Sequence, residues 1–367
     1  MRGGTTSSPD RAWDSVPCGG ARRWTVWAGR PSRGSGLRSS IVSETPPSER
    51  PSTFADGVRL AIGTLSVFPV RPGTVDRRAG GIAMTAAPFV GALIGAVAGT
   101  VLTVALWLEI TPLLASVLAV ATVALLTRGL HLDGLADLAD GLGSGRPAEQ
   151  ALDIMKRSDI GPFGVVTLVF TLLAQVAALS EVSAAGAGPI ALFTACVAGR
   201  LALTWACRAG VPSARPGGLG AMVAGTVRRG PALAVTALML ALPAALTLLV
   251  SIGAFSPVLP AFSGASDGFG LSASYVSSGV SATAGEAMLS EVHGPVGLAA
   301  VGPGHGRSSS LWGPCVAVLA VLAGLLAAWA LRRRAVRRLG GITGDVLGAL
   351  VEIATATTLV VYAMTMG

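Results

Sequence analysis

The sequence predicts an all-α fold, a polytopic membrane bundle of about seven transmembrane helices, within bounds of six to eight. Three observations predict it. The 367 residues are 51% hydrophobic and only 13% charged, with a mean hydropathy of +0.66, far from the composition of a soluble domain. The apolar residues fall in long uncharged runs, at 79–108, 110–127, 160–180, 182–199, 230–253 and 308–331, and a seventh at 346–366 is interrupted only by Glu352. Finally, Lys and Arg collect between alternate runs. Segments 54–78, 128–159, 200–229 and 332–345 hold 4, 4, 5 and 5 of them, and the opposite side has only Arg307. This is the positive-inside bias, and it sets those four segments at the cytoplasmic face of a bacterial plasma membrane.

The elements follow in order. Residues 1–53 carry eight Arg against four acids, are rich in Gly, Ser and Pro, and lack apolar periodicity, so a disordered basic tail is expected. They contain no continuous apolar core of a signal peptide, which leaves targeting to the first membrane helix. The apolar piece 60–70 is too short to span and is expected to lie at the interface or to re-enter. Residues 54–367 then read as one membrane-embedded domain, with a Gly/Ser/Ala-rich flexible insertion at 254–307 on the non-cytoplasmic side. His293 and His305 in that insertion have no ordered ligand neighbours and make a poor metal site. Cys18, Cys196, Cys207 and Cys315 form no C-x-x-C and no disulfide framework, and those in or beside apolar helices are expected to pack.

Several function classes are excluded. The basic balance, a formal charge of +8, comes without a basic helix interleaved with aromatics, so no nucleic-acid partner is expected. GLGSG at 141–145 follows a helix instead of a strand and is no dinucleotide loop. The only lysine, Lys156, has no preceding glycine, which excludes a Walker A loop.

Chemistry concentrates on the cytoplasmic segments. GLHLDGLADLADGLG, residues 129–143, spaces Asp133, Asp137 and Asp140 at i, i+4, i+7, one stripe of a helix without basic i+4 partners. Three like charges beside a membrane repel, and divalent cations among them, Mg²⁺ or Mn²⁺ by the all-oxygen ligands, would relieve the repulsion. ALDIMKRSDIGPFG, 151–164, presents Lys156, Arg157 and Ser158; its Asp153 and Asp159 are read as capping or Arg-pairing groups. PSARPGGLG, 212–220, offers Arg215 among glycines that would let a ligand approach the backbone. RRLGGITGDVLGALVE, 337–352, places Arg337 and Arg338 before a Gly-rich turn, with Thr343 and Asp345 at the mouth of the last helix. Glu352 is either a buried structural acid or a proton handler. Asp, divalent metal and Arg/Lys without a His or Cys nucleophile suit phosphoryl or nucleotidyl transfer.

In order and spacing, GLHLDGLADLADGLG, IMKRSDIGPFGV, SARPGGLG and RRLGGITGDVLGA resemble the signature blocks of the cobalamin synthase family, the adenosylcobinamide-GDP ribazoletransferases; the resemblance covers roughly 54–253 and 310–366. It implies an integral membrane enzyme that depends on Mg²⁺. The implied reaction joins adenosylcobinamide-GDP to α-ribazole or its 5′-phosphate, giving adenosylcobalamin or its 5′-phosphate and GMP. On that reading Asp133, Asp137 and Asp140 hold the metal, and Asp137 and Asp345 act in catalysis, Asp345 as extra ligand or base. His131 orients a carboxylate or shuttles the hydroxyl proton, while Lys156, Arg157, Ser158, Arg215, Arg337, Arg338 and Thr343 bind substrate. Besides its small-molecule substrates the protein would contact membrane lipids, and both a monomer and a homo-oligomer stay open. Two other classes are weighed. A CDP-alcohol phosphotransferase would need D-G-x-x-A-R followed by G-x-x-x-D-x-x-x-D, which is absent; a transporter would place its ionisable groups near mid-bilayer instead of at one face.

Overall fold

In a computed structural model of the chain, residues 50–71, 73–157, 159–251 and 312–366 are described, all within one compact unit, Glu49–Gly367. The expected tail, apart from residues 50–53, and the insertion with His293 and His305 lie outside the described residues. Eleven helices follow in order: α1 (Phe54–Leu65), α2 (Arg77–Trp107), α3 (Pro112–Leu126), α4 (Leu130–Gly143), α5 (Ala148–Ile154), α6 (Pro162–Ala184), α7 (Gly188–Ala206), α8 (Gly218–Val223), α9 (Arg229–Ser251), α10 (Trp312–Leu339) and α11 (Gly344–Met366). Among the described residues there is no strand, only two isolated bridges.

Among the described residues six helices, α2, α6, α7, α9, α10 and α11, are long and apolar enough to cross a membrane, which makes the chain a multi-pass membrane protein. The short α3 passes the same test only together with α4, from which it is bent by 87°. The bend falls at Arg128 and Gly129, both at positive φ (55° and 66°), a conformation that ends α3 and turns α4, which is none of the six, onto the starts of α6 and α11. With the bent pair α3–α4 taken as a seventh crossing the ends alternate, so the starts of α2, α6, α9 and α11 and the ends of α7 and α10 meet at one end.

The expected piece 60–70 is in fact helix α1 and the turn after it. At 12 residues α1 is about 18 Å long and cannot span. The supposed tail ends earlier than residue 53: Ser52 is buried and donates from its hydroxyl to Asp76 at 2.6 Å, and Thr53 forms a capping box with Asp56. The run 182–199 is displaced to α7 because Arg200, counted as a loop cation, lies inside the helix and is fully buried. Likewise the arginines from 332 onward continue α10 to Leu339 instead of starting a loop. Cys196 and Cys207 are buried as expected, but Cys315 is exposed.

Helices in a bilayer gain little from apolar burial against one another, so close association needs small residues. α2 supplies Gly91, Gly95 and Gly99, one turn apart, along its face on α7. A Cβ at Gly91 would lie 2.5 Å from the Cys196 carbonyl oxygen, and one at Gly95 would lie 2.9 Å from the Phe193 Cα. Gly199 and Gly324 play the same part against α11, where Cβ atoms would lie 2.5 Å from the hydroxyls of Thr355 and Thr358. Pro88 deprives the Met84 carbonyl of its helical donor, and the Thr204 hydroxyl of α7 donates to that carbonyl at 2.8 Å instead. α7 and α11 form the centre, with 78% and 72% of their apolar windows buried against 17% for α9.

Overpacking of this kind costs roughly 1–3 kcal/mol. Gly91→Val is therefore expected to lower the thermal unfolding transition in detergent, whereas Gly230→Ala in α9, where nothing lies within 4 Å of the added carbon, leaves it unchanged or raises it. Equal transitions for the two variants would remove the glycine contact from the account.

Candidate active site

The four motifs are knit together by their glycines. A Cβ on Gly134 of α4 would lie 2.9 Å from the Asp345 Cα and 2.8 Å from its carbonyl oxygen, and one on Gly348 would lie 3.2 Å from the His131 Cα. A side chain at Gly134 would collide with backbone and one at Gly348 would be tight against it, so α4 lies backbone to backbone on the first turns of α11. Thr343 caps α11, accepting from the Val346 N–H and donating to the Asp345 carboxylate, each at 3.2 Å. The Arg215 loop is bonded to the turn before Thr343: Ala214 N–H donates to the Ile342 carbonyl at 3.1 Å, and Ile342 N–H to the Pro212 carbonyl at 3.0 Å. Gly220 and Gly341 are filled by backbone of the facing segment, whereas Gly217 and Gly218 have nothing within 4 Å. The expectation that these glycines admit a ligand thus applies to Gly217 and Gly218, while Gly220 and Gly341 serve packing.

Along α4 the stripe runs from Asp133, exposed, through Asp137, half-buried, to Asp140, buried. Asp137 feels Asp133, Asp345 and Asp140 as like charges, and burial together with these three pushes its carboxyl up to about 6; only Arg215 opposes. The Arg215 charge acts on Asp345 as well. The Arg215 guanidinium donates to the Leu152 carbonyl of α5, and its Nε is buried without a partner. Asp133, Asp137, Asp345 and Arg215, contributed by three separated segments, therefore form one electrostatic unit with Thr343 beside it.

Asp140 does something different. Its two oxygens accept from Gly161 N–H at 2.7 Å and Gly164 N–H at 2.9 Å, capping the start of α6 from a neighbouring helix, where the helix dipole favours a negative charge. The Gly-Pro break of 161–164 is shaped by this bond, since a side chain at either glycine would collide with the carboxylate. Both carboxylate oxygens of Asp140 thus have structural partners at the start of α6. Among the described residues no three His, Cys, Asp or Glu side chains already stand close enough to hold a metal ion. One or two carboxylates with substrate phosphates and waters suffice for Mg²⁺, and the oxygen donors and excess negative charge here fit that cation.

His131 faces the bundle interior, away from Asp133. Its Nδ1 stands 3.5 Å from a guanidinium nitrogen of Arg200, and burial and that cation hold the imidazole well below the ordinary histidine range. His131 thus stands as a neutral ring against an arginine. Arg200 is the residue that sequence reasoning missed. The available signal was a lone arginine inside TACVAGRLALTW, since a charge within a span is functional or specifically paired. Glu352 is likewise buried and accepts from Gln175 at 2.9 Å.

The remaining described candidates are exposed and have local partners only. Lys156 is exposed and pairs with Asp153 at 3.3 Å, Arg157 is exposed, and Ser158 lies outside the described residues. Arg337 and Arg338 are exposed on the last turn of α10, and Arg337 donates to the Arg333 carbonyl at 3.3 Å. No bond ties these cations to the carboxylates among the described residues.

Fold and site together define a polytopic helical membrane protein with an acidic, arginine-lined site at one end of its bundle. The chain belongs to the cobalamin-5-phosphate synthase family, which matches residues 57–270 and 271–363. It is 39% identical over 316 residues to an adenosylcobinamide-GDP ribazoletransferase of Frankia casuarinae, covering 84% of this chain and 94% of the relative. To a protein of the same name from a Nocardioides species it is 32% identical over 311 residues, covering 84% and 98%. No solved structure matches the chain.

Two variants separate the roles of neighbouring aspartates. Asp140→Asn turns one acceptor into a donor facing an N–H, and its thermal stability is expected to fall by about 1.5–3 kcal/mol. Asp137→Asn in chelator should be more stable than the parent at pH 7.5, because the raised carboxyl makes the folded state bind more protons than the unfolded one, so parental stability drops as pH rises from about 4 to about 6. The advantage should shrink toward pH 5 as the parental Asp137 protonates. Thermal unfolding across that range checks both; an unaffected Asp140→Asn, or an Asp137→Asn no more stable than the parent at pH 7.5, contradicts the assignment.

Proposed function

We propose that this protein transfers the phosphocobinamide group of adenosylcobinamide-GDP to α-ribazole or its 5′-phosphate, releasing GMP. The observation that carries the proposal is the gathering of Asp133, Asp137, Asp345 and Arg215 from distant motifs into one unit, in a chain whose relatives bear the name of that activity. A ribose hydroxyl attacks the phosphorus attached to cobinamide; the new O–P bond forms as the bond to GMP breaks, and GMP leaves with the electron pair on its phosphate oxygen. Asp345, oriented by the Thr343 hydroxyl, accepts the hydroxyl proton. Arg215, held by the Leu152 carbonyl, turns its remaining donors toward the phosphoryl oxygens. The open backbone at Gly217 and Gly218 lets the diphosphate approach, and Lys156, Arg157, Arg337 and Arg338 attract it from the rim. When bound at Asp133 and Asp137, Mg²⁺ supplies charge neutralisation for the transferring group and leaving phosphate. The site belongs at the cytoplasmic face of the plasma membrane, supported by the arginines at that end of the bundle; Arg200 drops out of the count without changing its sense.

Asp137→Asn is expected to lower GMP release by orders of magnitude and to blunt its Mg²⁺ dependence, while Asp153→Asn, whose partner is the exposed Lys156, changes little. Near-parental turnover with unchanged metal dependence in Asp137→Asn would remove the aspartates from the mechanism. Sidedness is checked with Arg146→Cys between α4 and α5. An impermeant thiol reagent applied to intact cells should not label it, and labelling from outside would reverse the topology.

A further inference from the structure

On the outer side of the bundle, α2 and α9 part to leave a groove of about 560 Å³ that no step of the proposed reaction uses. Its mouth is basic. Arg77 and Arg78 open α2 and Arg228 immediately precedes α9, so three guanidinium groups sit at the same end of two adjacent spans. Arg77 is fixed, donating to the carbonyls of Ala221 and Ala224, so its charge stays at the rim. Arg78 and Arg228 are exposed, have no ion-pair partner among the described residues, and face no acidic group in the lining. Below the mouth the walls are apolar. Ile82 lies one turn into α2, Phe89 about three turns in and 49% exposed, and Val235 lies two turns into α9, the span that buries least of itself. The inner side is closed where a Cβ on Gly81 would come within 3.1 Å of the Thr226 carbonyl oxygen.

We infer that this groove is a binding site for an anionic phospholipid, its phosphate between Arg78 and Arg228 and an acyl chain along Ile82, Phe89 and Val235. The groove opens sideways on spans that a membrane surrounds, which supplies this ligand and places its phosphate at the level of the helix starts. Basic pockets at helix ends with apolar walls select such headgroups, and Arg presents the forked donors that a phosphodiester accepts. A free phosphate would gain nothing from the apolar walls.

The test uses the full chain purified in detergent and native mass spectrometry with phosphatidylglycerol or phosphatidylcholine of the same acyl chains. The parent should retain phosphatidylglycerol on the order of tenfold more tightly. Arg78→Gln/Arg228→Gln should bind both lipids alike, at the parental level for phosphatidylcholine, with an unchanged thermal transition. Val235→Trp, which fills the groove and leaves its charge, should weaken both. Excess glycerol 1-phosphate should displace neither. Equal retention of the two lipids by the parent, or an undiminished preference in the arginine variant, overturns the inference. So does displacement by glycerol phosphate, which would make this a free-phosphate site, or by adenosylcobinamide-GDP, which would make it a substrate site.

Discussion

The acidic end of the bundle depends on how closely α4 lies on the first turns of α11. At Gly134 and Gly348 each helix meets backbone of the other, with no room for a side chain at Gly134 and little at Gly348. That approach brings Asp133 and Asp137 beside Asp345, from segments some two hundred residues apart in the chain. Carboxylates so placed oppose folding, as the raised Asp137 shows, and something must hold them there. Part of the restraint is Asp140, whose charge-assisted bonds pin the far end of α4 to α6. Another part is the Thr343 cap with the Pro212–Ile342 and Ala214–Ile342 bonds, which fix the turn from which Asp345 projects.

The central spans make this arrangement rigid. α7 and α11 are enclosed by neighbours, and glycines at the α2–α7, α7–α11 and α10–α11 contacts bring backbones together without apolar bulk. Arg200, fully buried in α7 and beside His131, reaches the base of α4 from below. Gly91 of α2 makes space for it, since a Cβ there would lie 3.1 Å from the Arg200 Cβ. The polar interior formed by His131, Arg200, Glu352 and Gln175 thus supports α4 from the side opposite its carboxylates. Buried ionisable groups in spans are costly unless they meet partners; here Arg200 meets His131 and Glu352 meets Gln175, while the Arg200 Nε and His131 Nε2 stay without a hydrogen bond.

Hydropathy made most of the spans legible because an uncharged run of that length has few alternatives. Its failures have one cause. A charge ends a run on paper but not in space, so Arg200 shifted the reading of α7 and the arginines of α10 were taken for a loop. The 87° turn between α3 and α4 was only partly visible: Gly129 admits positive φ, but Arg128 adopts it too and carries no such signal. At the site, the i, i+4, i+7 spacing of the aspartates was readable, but periodicity says only that they share a stripe. That Asp140 caps α6 depends on tertiary contacts, whereas Asp345 is legible as an extra ligand or base from its place at the mouth of the last helix. The glycines of 212–220 read as admitting a ligand to the backbone; which of them is open, as Gly217 is, and which is filled, as Gly220 is, depends on the partner segment.

The central claim is that Asp137 and Asp345 act as one unit although they belong to different motifs. A double-mutant cycle on GMP release from adenosylcobinamide-GDP at saturating Mg²⁺ measures this directly, using Asp137→Asn, Asp345→Asn and the double variant, each shown to be folded. Groups that act together are strongly non-additive. The account predicts a double variant about as slow as the slower single variant. Rate losses that multiply, each variant contributing its full factor in the presence of the other, would contradict it.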